Sequence, residues 1–385
     1  MLYGLGIGVV AVSVGITMLV YGIYIMGMSG GGEREAPREV CPPQPVSIII
    51  PAYNEERVIA RKIKNLAEID YPSSLMEIIV IDDCSGDRTR QEALSALAQY
   101  GMKGEVITNE RRQGTNANYN CGFERARNDL IIATDADVLF EKDAVRYIVN
   151  ALCKEPQTGA VCGELVPLIE KQSISAGIEK PYREVFGKIC GWESSLHSTY
   201  CFNGPLIGVK REAIGRISPT KGASDTNIAL CAIKKGYRAK YVPYAKFYEC
   251  IPHKHIDQRK QKIRRATRLL ESTWSARGCL FNPRYGKFGM VVLPLRFAMF
   301  FIVPCACVLA GVILVLFGFM LHPLYGISFL GIIGVIFMSA RWRATIVSSF
   351  LWHNYYLFMG LLRMGKSTHM WDSIDRSLCV WPKEE

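Results

Sequence analysis

Residues 46–56 read VSIIIPAYNEE, a β-branched apolar run that ends in a proline and four polar side chains. Such a run, bounded by turn residues, predicts a buried strand over Val46–Ile50. Three later runs of the same kind are predicted strands: Glu77–Ile81, Gly104–Thr108 and Leu130–Ala133. The amphipathic stretches between them predict helices over Glu55–Leu66, Arg88–Tyr100 and Asn116–Arg127. Alternating strands and helices of this length predict an α/β fold with a doubly wound, mostly parallel sheet over residues 46–253.

The chain on either side of this segment is apolar. Residues 2–28 carry no charge, and at 1.5 Å per residue they span about 40 Å, enough to cross a hydrocarbon core of ~30 Å. The run is too long for a signal peptide and lacks a basic start, so residues 1–28 are predicted to be an N-terminal transmembrane helix. Residues 29–45 are a predicted linker, and residues 367–385 a predicted tail.

Residues 288–366 are predicted to hold two or three membrane helices. The candidates are Phe288–Leu321, which Pro294, Arg296 and Pro304 interrupt, then Leu324–Ala340 and Ile346–Leu362. The third contains Ser348, Ser349, His353 and Asn354, so an interfacial position is its alternative.

The positive charge is concentrated in one place. Of a net +11, residues 250–287 hold ten Lys or Arg against two Asp or Glu. We therefore predict a basic interfacial helix and connector over residues 254–287, with a local anionic partner. A nucleic-acid partner is not expected, because aromatic residues are not interleaved with the basic ones. Lys and Arg beside the membrane segments favour a cytoplasmic position for residues 46–253, in an integral protein of the cell membrane.

The 13 cysteines have neither metal-ligand spacing nor the pattern of a disulfide framework, so reduced thiols are expected. No GxGxxG or GxxxxGK[ST] loop follows the first strand, which argues against a dinucleotide or P-loop site.

Polar clusters follow three of the four predicted strands, within Pro51–Glu56, Asp82–Ser85 and Thr134–Asp137. A single Asp in such a place is usually a turn or helix-capping residue. In a parallel sheet, however, the three clusters meet at the carboxyl ends of the strands, where α/β proteins bind ligands. Converging carboxylates repel each other unless a cation lies between them. Oxygen ligands suit Mg²⁺ or Mn²⁺, and a phosphate-bearing ligand would then be held through the metal.

In these motifs the chain from about Val46 to Arg268 resembles the family 2 glycosyltransferases, which have a GT-A fold. The opening strand at 46–56, the segment IVIDDCSGDRT at 79–89 and the DxD motif at 135–137 stand in the family's order and spacing. The resemblance implies a UDP- or GDP-sugar donor and a divalent cation. Asp135 and Asp137 would bind the metal. The residues implied to contact the nucleotide sugar are Pro51, Tyr53, Glu55, Asp82, Asp83 and Asp135.

The resemblance also implies a catalytic base and an anion-binding helix. The family's Glu-Asp pair corresponds to Ser224-Asp225, so Asp225 is the implied base, and a helix N-cap is its alternative role. The family's QxxRW motif corresponds to QKIRR at 261–265, in which Arg265 replaces Trp. Gln261, Arg264 and Arg265 are implied to meet the diphosphate or the acceptor. Attraction to lipid headgroups is the alternative role of this basic face.

Together these features predict an inverting, metal-dependent glycosyltransferase with a membrane-associated acceptor: a lipid phosphate, a lipid-linked glycan or a glycolipid. Residues 164–210, in particular Trp192–Pro205, are expected on the acceptor side. A processive polysaccharide synthase is the first alternative, although loss of the Trp makes it less favoured. The second is a catalytically silent membrane protein that binds nucleotide sugars.

Overall fold

The structure is a computed structural model that describes residues 2–29, 36–37, 40–168, 174–202, 204–250, 255–339 and 346–366. Much of the predicted linker and the whole of the predicted tail lie outside the described residues.

The described residues contain one sheet of eight strands in the order β3-β2-β1-β4-β7-β6-β8-β5. Strands β3, β2, β1 and β4 are mutually parallel, as are β6 and β8, whereas β7 runs antiparallel to β4 and β6, and β5 to β8. The predicted α/β class is therefore confirmed, with a sheet that is mixed on one side. The strands are β1 (Val46–Ala52), β2 (Met76–Asp82), β3 (Gly104–Thr108), β4 (Leu130–Ala133), β5 (Val138–Phe140), β6 (Thr158–Leu168), β7 (Ile207–Lys210) and β8 (Arg238–Cys250).

Helices cover both faces of the sheet and continue into the apolar segments. They are α1 (Leu2–Ser29), α2 (Ile59–Glu68), α3 (Thr89–Gln99), α4 (Thr115–Arg125), α5 (Ala144–Lys154), α6 (Ile174–Leu196), α7 (Ser224–Lys234), α8 (His255–Ser275), α9 (Leu293–Phe297), α10 (Val303–Leu321), α11 (Pro323–Ser339) and α12 (Ile346–Leu361). Helix α2 begins at Ile59 and not at Glu55 as predicted, because the chain turns first. Asn54 has a φ of 53°, and the Glu55 backbone N–H donates to Thr89 Oγ1 at 2.8 Å.

The two faces of the sheet lie in different hydrophobic cores. Ile48 and Ile50 pack with α2, α3 and α5, whereas Ile49 points the other way, as expected for neighbours in a strand. The core around Ile49 also contains Tyr24 of α1 and Phe288 of the apolar C-terminal segment. The sheet domain and the apolar helices therefore share one core.

Within the described residues, two helices are long and apolar enough to cross a membrane, over Gly6–Ser29 and Phe288–Leu321. Pro294 and Pro304 do not break the second helix. Each follows a π-helical stretch, Phe288–Val292 or Ala298–Ile302, that adapts the helix to the missing N–H of proline. Helix α12 packs along α8. A Cβ atom added to Gly360 would lie 3.1 Å from the Thr267 backbone nitrogen.

A buried ionic cluster joins the sheet domain to these helices, and we call Tyr24, Glu193, Thr199 and Arg296 the Glu193 cluster. The Arg296 guanidinium donates to both carboxylate oxygens of Glu193, at 2.5 and 3.1 Å. The Tyr24 hydroxyl donates to the same carboxylate at 3.0 Å and the Thr199 hydroxyl at 2.6 Å. The side chains of Arg296 and Glu193 are 2% and 0% exposed, so the carboxylate is satisfied without water.

Eleven of the described cysteines are free thiols, as expected from their spacing. Cys250, at the end of β8, is disulfide-bonded. The prediction of reduced thiols is therefore wrong at that position.

Candidate functional site

The Asp83 carboxylate organises the loop between β3 and α4. Its Oδ1 accepts hydrogen bonds from the Asn109 side chain at 2.9 Å and the Gln113 backbone N–H at 2.8 Å, and Oδ2 accepts from the Gly114 N–H at 2.9 Å. Gly114 has a φ of 87°, a conformation that favours glycine. Asp83, a predicted nucleotide ligand, is fully buried and holds this loop through its hydrogen bonds.

The other predicted nucleotide residues lie at the ends of β1 and β2. Pro51 is buried within β1 opposite Ile81, and Asp82 accepts from the Ser85 N–H at 3.2 Å. Glu55 is buried in the turn after β1. The guanidinium of Arg112 stacks on Tyr53, 3.6 Å from the ring centroid. Arg112 was not predicted as a site residue, and its guanidinium cation covers one face of the Tyr53 ring.

The DxD motif forms the turn between β4 and β5. The Tyr119 hydroxyl, from α4, donates to Asp135 Oδ1 at 3.0 Å. Burial, followed by the nearby Asp137 carboxylate, raises the pKa of Asp135 to about 7. Asp135 and Asp137 are both half-buried. Two such carboxylates on one turn favour a bound cation, since their repulsion is relieved when it binds.

Asp225 lies in the first turn of α7, which begins at Ser224 after the N-cap residue Ala223. Its Oδ1 accepts from the neighbouring Thr226 N–H at 2.7 Å. The alternative role of Asp225 as helix N-cap is therefore wrong. Burial raises the pKa of Asp225, while the guanidinium groups of Arg265 and Arg268 act in the opposite direction.

Helix α8 places the guanidinium groups of Arg265 and Arg268 near Asp225. Arg265 donates to the Glu249 carboxylate at 2.7 Å, at the end of β8. Arg268 donates to the Gly222 carbonyl at 2.9 Å and to the Asn116 side chain at 3.1 Å, which ties α8 to the loop before Asp225. Gln261 and Arg264 are half-buried one turn earlier on α8.

The Tyr119 side chain lies close to the carboxylates of Asp135, Asp137 and Asp225. Burial raises the pKa of this phenol, and Asp135, Asp225 and Asp137 all add to the shift. The charge of Arg265 acts on both Asp135 and Asp225. Helix α4 therefore links the DxD turn, through Tyr119 and Asp135, with the basic helix and the loop before Asp225, through Asn116 and Arg268. Tyr119 was not predicted, because its phenol is recognisable only once α4 packs beside β4.

The stretch predicted to contact the acceptor, Trp192–Pro205, contains side chains that are buried in the protein. Glu193 belongs to the buried cluster, and the buried Ser194 hydroxyl accepts from the Tyr241 N–H at 2.9 Å. Trp192 packs edge-on against Tyr24, with ring centroids 5.2 Å apart. The acceptor prediction is wrong for Glu193 and Ser194, because both are used in packing. Asn203 lies outside the described residues.

The donor set fits a hard divalent cation. Asp135 and Asp137 offer oxygen ligands only, which suit Mg²⁺ or Mn²⁺. In the described part of the chain, no group of three or more His, Cys, Asp or Glu forms a complete cage. A cation here would thus take its remaining ligands from water and from substrate oxygens, as Mg²⁺ commonly does.

The sequence matches the family description "Glycosyl transferase family 2" over residues 47–212 and "Glycosyl transferase family group 2" over residues 130–362. The Bacillus subtilis protein "Probable glycosyltransferase YdaM" is 29% identical over 215 residues, 54% of this chain and 51% of the relative. A Staphylococcus aureus poly-beta-1,6-N-acetyl-D-glucosamine synthase is 27% identical over 224 residues, 57% of this chain and 53% of the relative. The chain thus spans about half the length of these two curated relatives.

Among solved structures, the chain is similar to the mannosyltransferase PcManGT from Pyrobaculum calidifontis in complex with GDP-Man and Mn²⁺. The TM-score is 0.75 at 22% identity, and the match covers 92% of this chain and 98% of the other. This likeness confirms the predicted GT-A-type fold.

Proposed function

The chain belongs to glycosyl transferase family 2, and we propose that it transfers a sugar from a UDP- or GDP-sugar to a membrane-associated acceptor, with inversion at the anomeric carbon. The observation that supports the proposal is that α4 contacts both the DxD turn, through Tyr119 and Asp135, and the basic helix beside Asp225, through Asn116 and Arg268. This arrangement would combine a cation site, a base and an anion-binding group, which are the elements that sugar transfer needs.

The donor would lie along the ends of β1 and β2. Pro51, Tyr53, Glu55, Asp82 and Asp83 would surround the nucleotide, with Asp135 toward the ribose and diphosphate. A divalent cation on Asp135 and Asp137 would offset the negative charge that develops on the departing diphosphate. Arg264 and Arg265 would bind phosphate oxygens, since guanidinium can donate two parallel hydrogen bonds. Gln261 would face the diphosphate or the acceptor from the same helix.

Asp225 would act as general base. As the acceptor oxygen forms its bond to C1, the acceptor hydroxyl proton passes to the Asp225 carboxylate, and the bond from C1 to the diphosphate oxygen breaks. Burial raises the pKa of Asp225, which makes the carboxylate a stronger base than one in water. A single base opposite the leaving group supports direct displacement, and therefore inversion.

The acceptor is proposed to be a lipid phosphate, a lipid-linked glycan or a glycolipid. Two helices in the part of the chain that the structure describes are long enough to span a bilayer, and the sheet domain shares a core with them. We propose an integral protein of the cell membrane whose catalytic domain is cytoplasmic, where nucleotide sugars are made. Helix α8 would then lie near the headgroups, which its basic side chains attract.

Substituting Asp137 should remove most of the metal-dependent activity. We expect Asp137→Asn to reduce nucleoside diphosphate release by about 10²-fold, the scale typical of a lost electrostatic group in an active site. Asp143→Asn is the matched control, because the Asp143 side chain is 45% exposed and pairs with Arg146 at 3.5 Å. Equal Mn²⁺ titration curves for wild type and Asp137→Asn would argue against the metal site.

The pH dependence should reflect the raised pKa of Asp225. The base works when deprotonated, so turnover falls as the pH drops through this pKa, at a higher pH than for an aspartate in water. Arg268→Met removes a cation that lowers the pKa of Asp225, so the acid limb should move to still higher pH. The measurement is kcat against pH at saturating donor and Mn²⁺. An unchanged limb in Arg268→Met would contradict the assignment.

The overall proposal is tested by incubating purified protein with a panel of UDP- and GDP-sugars and membrane lipid extract. Nucleoside diphosphate release and a lipid-linked product are the expected results. A long polymer would favour the processive synthase, an activity named for the Staphylococcus aureus relative. Nucleotide-sugar binding without turnover or hydrolysis would favour the catalytically silent alternative.

A further inference from the structure

Helix α2 places a fully buried lysine behind the DxD turn. The Lys62 side chain is 0% exposed, and its ammonium nitrogen donates to Thr134 Oγ1 at 3.0 Å. The same nitrogen lies 3.5 Å from the ring centroid of Phe140. A buried ammonium is costly unless nearby groups compensate its charge. The groups around Lys62 are therefore the ones that can compensate its charge.

Helix α2 holds the segment that carries the two aspartates at both ends. Before the motif, Lys62 donates to the Thr134 hydroxyl, which itself donates to the Asp135 carbonyl at 3.4 Å. After the motif, the Asn65 side chain exchanges two hydrogen bonds with the Phe140 backbone, at 2.8 and 3.0 Å. The Thr134 hydroxyl donates to the Asp135 carbonyl and accepts from Lys62, so Lys62 is the donor in their shared hydrogen bond. Lys62 is thus held in the protein interior, behind the DxD turn.

The charge balance around Lys62 involves the same two carboxylates. Burial lowers the pKa of Lys62 well below its ordinary value, while Asp135 and Asp137 raise it. The aromatic face of Phe140 also favours the charged form. The two aspartates therefore favour the charged form of Lys62, against the effect of burial.

We propose that Lys62 is a positioning residue that sets the cation affinity of the DxD turn through its charge. This inference rests on the proposed function, in which Asp135 and Asp137 bind the metal. A divalent cation carries two charges, so a fixed ammonium behind the turn repels it twice as strongly as it would repel a singly charged cation at the same place. Binding of the free cation is then weak, and it becomes strong when a donor diphosphate adds negative charge. The cation would enter and leave with the nucleotide.

The test measures Mn²⁺ binding to the purified full chain by electron paramagnetic resonance, with no nucleotide present. Lys62→Met removes the charge and the hydrogen bond, whereas Lys62→Gln removes the charge but can still donate to Thr134. We expect both variants to bind Mn²⁺ about tenfold more tightly than wild type, the order that loss of one nearby positive charge gives. Lys64→Met is the matched control on α2, since Lys64 pairs with Glu68 at the surface, 3.8 Å away.

The outcomes separate this inference from the proposed function. An unchanged Mn²⁺ dissociation constant in both Lys62 variants, or tighter binding in Lys62→Met alone, would overturn the electrostatic role. The same titration with UDP or GDP present tests the metal site itself. If wild type binds no Mn²⁺ even then, the metal part of the proposed function fails. If wild type binds Mn²⁺ and the Lys62 variants match it, only the role of Lys62 fails.

Discussion

Asp225→Asn is expected to reduce turnover by about 10²- to 10⁴-fold with a hydroxyl acceptor, the range that general base catalysis supplies. The amide keeps the shape of the side chain and can still accept from the Thr226 N–H through its oxygen, so the start of α7 should be preserved. Donor binding should change little, because the nucleotide residues lie on other elements. Turnover by nucleoside diphosphate release and donor affinity by titration, measured together, separate the two effects.

The same variant identifies the acceptor class. A lipid phosphate is already anionic and needs little help from a base, so near-normal turnover of Asp225→Asn would indicate a phosphate acceptor. Asp129→Asn is the control, because the Asp129 side chain is 97% exposed and lies beside Arg211 on the surface. If transfer to a proven hydroxyl acceptor were unaffected in Asp225→Asn, the assignment of Asp225 as base would be wrong.

Arg296→Met is expected to destabilise the protein by about 3–5 kcal/mol, because it leaves the buried Glu193 carboxylate without its counter-charge. Tyr24 and Thr199 would still donate to the carboxylate, but neither supplies a positive charge. The measurement is thermal or denaturant unfolding of the full chain in lipid nanodiscs. Arg363→Met, at an exposed arginine, is the control.

The double variant Glu193→Gln/Arg296→Met separates the two sources of this loss. Removing both charges should recover much of the stability, since uncharged replacements of a buried pair are often tolerated. A double variant as unstable as Arg296→Met alone would mean that packing of the guanidinium, and not its charge, stabilises the junction.

The strands of the parallel half of the sheet could be predicted from sequence because their signal is local. The runs at Gly104–Thr108 and Leu130–Ala133 coincide with β3 and β4, and β1 and β2 extend the predicted bounds by one or two residues. The polar cluster with Asp135 and Asp137 could be located from the strand that it follows, whereas Asp225 was implied only by the resemblance to family 2 glycosyltransferases. The antiparallel β7 and the long β8 were not predicted, because β7 has only four residues, one of them glycine, and β8 is interrupted by Lys240, Pro243 and Lys246.

The partners of the site residues could not be predicted, for the same physical reason. Tyr119, Arg112 and Lys62 stand in ordinary helix or loop sequence, and only packing brings them to Asp135, Tyr53 and Thr134. Polar side chains in the Trp192–Pro205 stretch suggested sugar binding because a buried ionic cluster and a binding loop have similar composition. Their burial is a property of the tertiary structure.

The Glu193 cluster has a consequence for how the protein is made. Its two charged members are 103 residues apart, so the ribosome delivers Glu193 roughly 5 to 20 seconds before Arg296 at common elongation rates. During this interval the sheet domain can form most of its strands, yet its core lacks a counter-charge. Maturation of the sheet domain therefore waits for the later segment that carries Arg296.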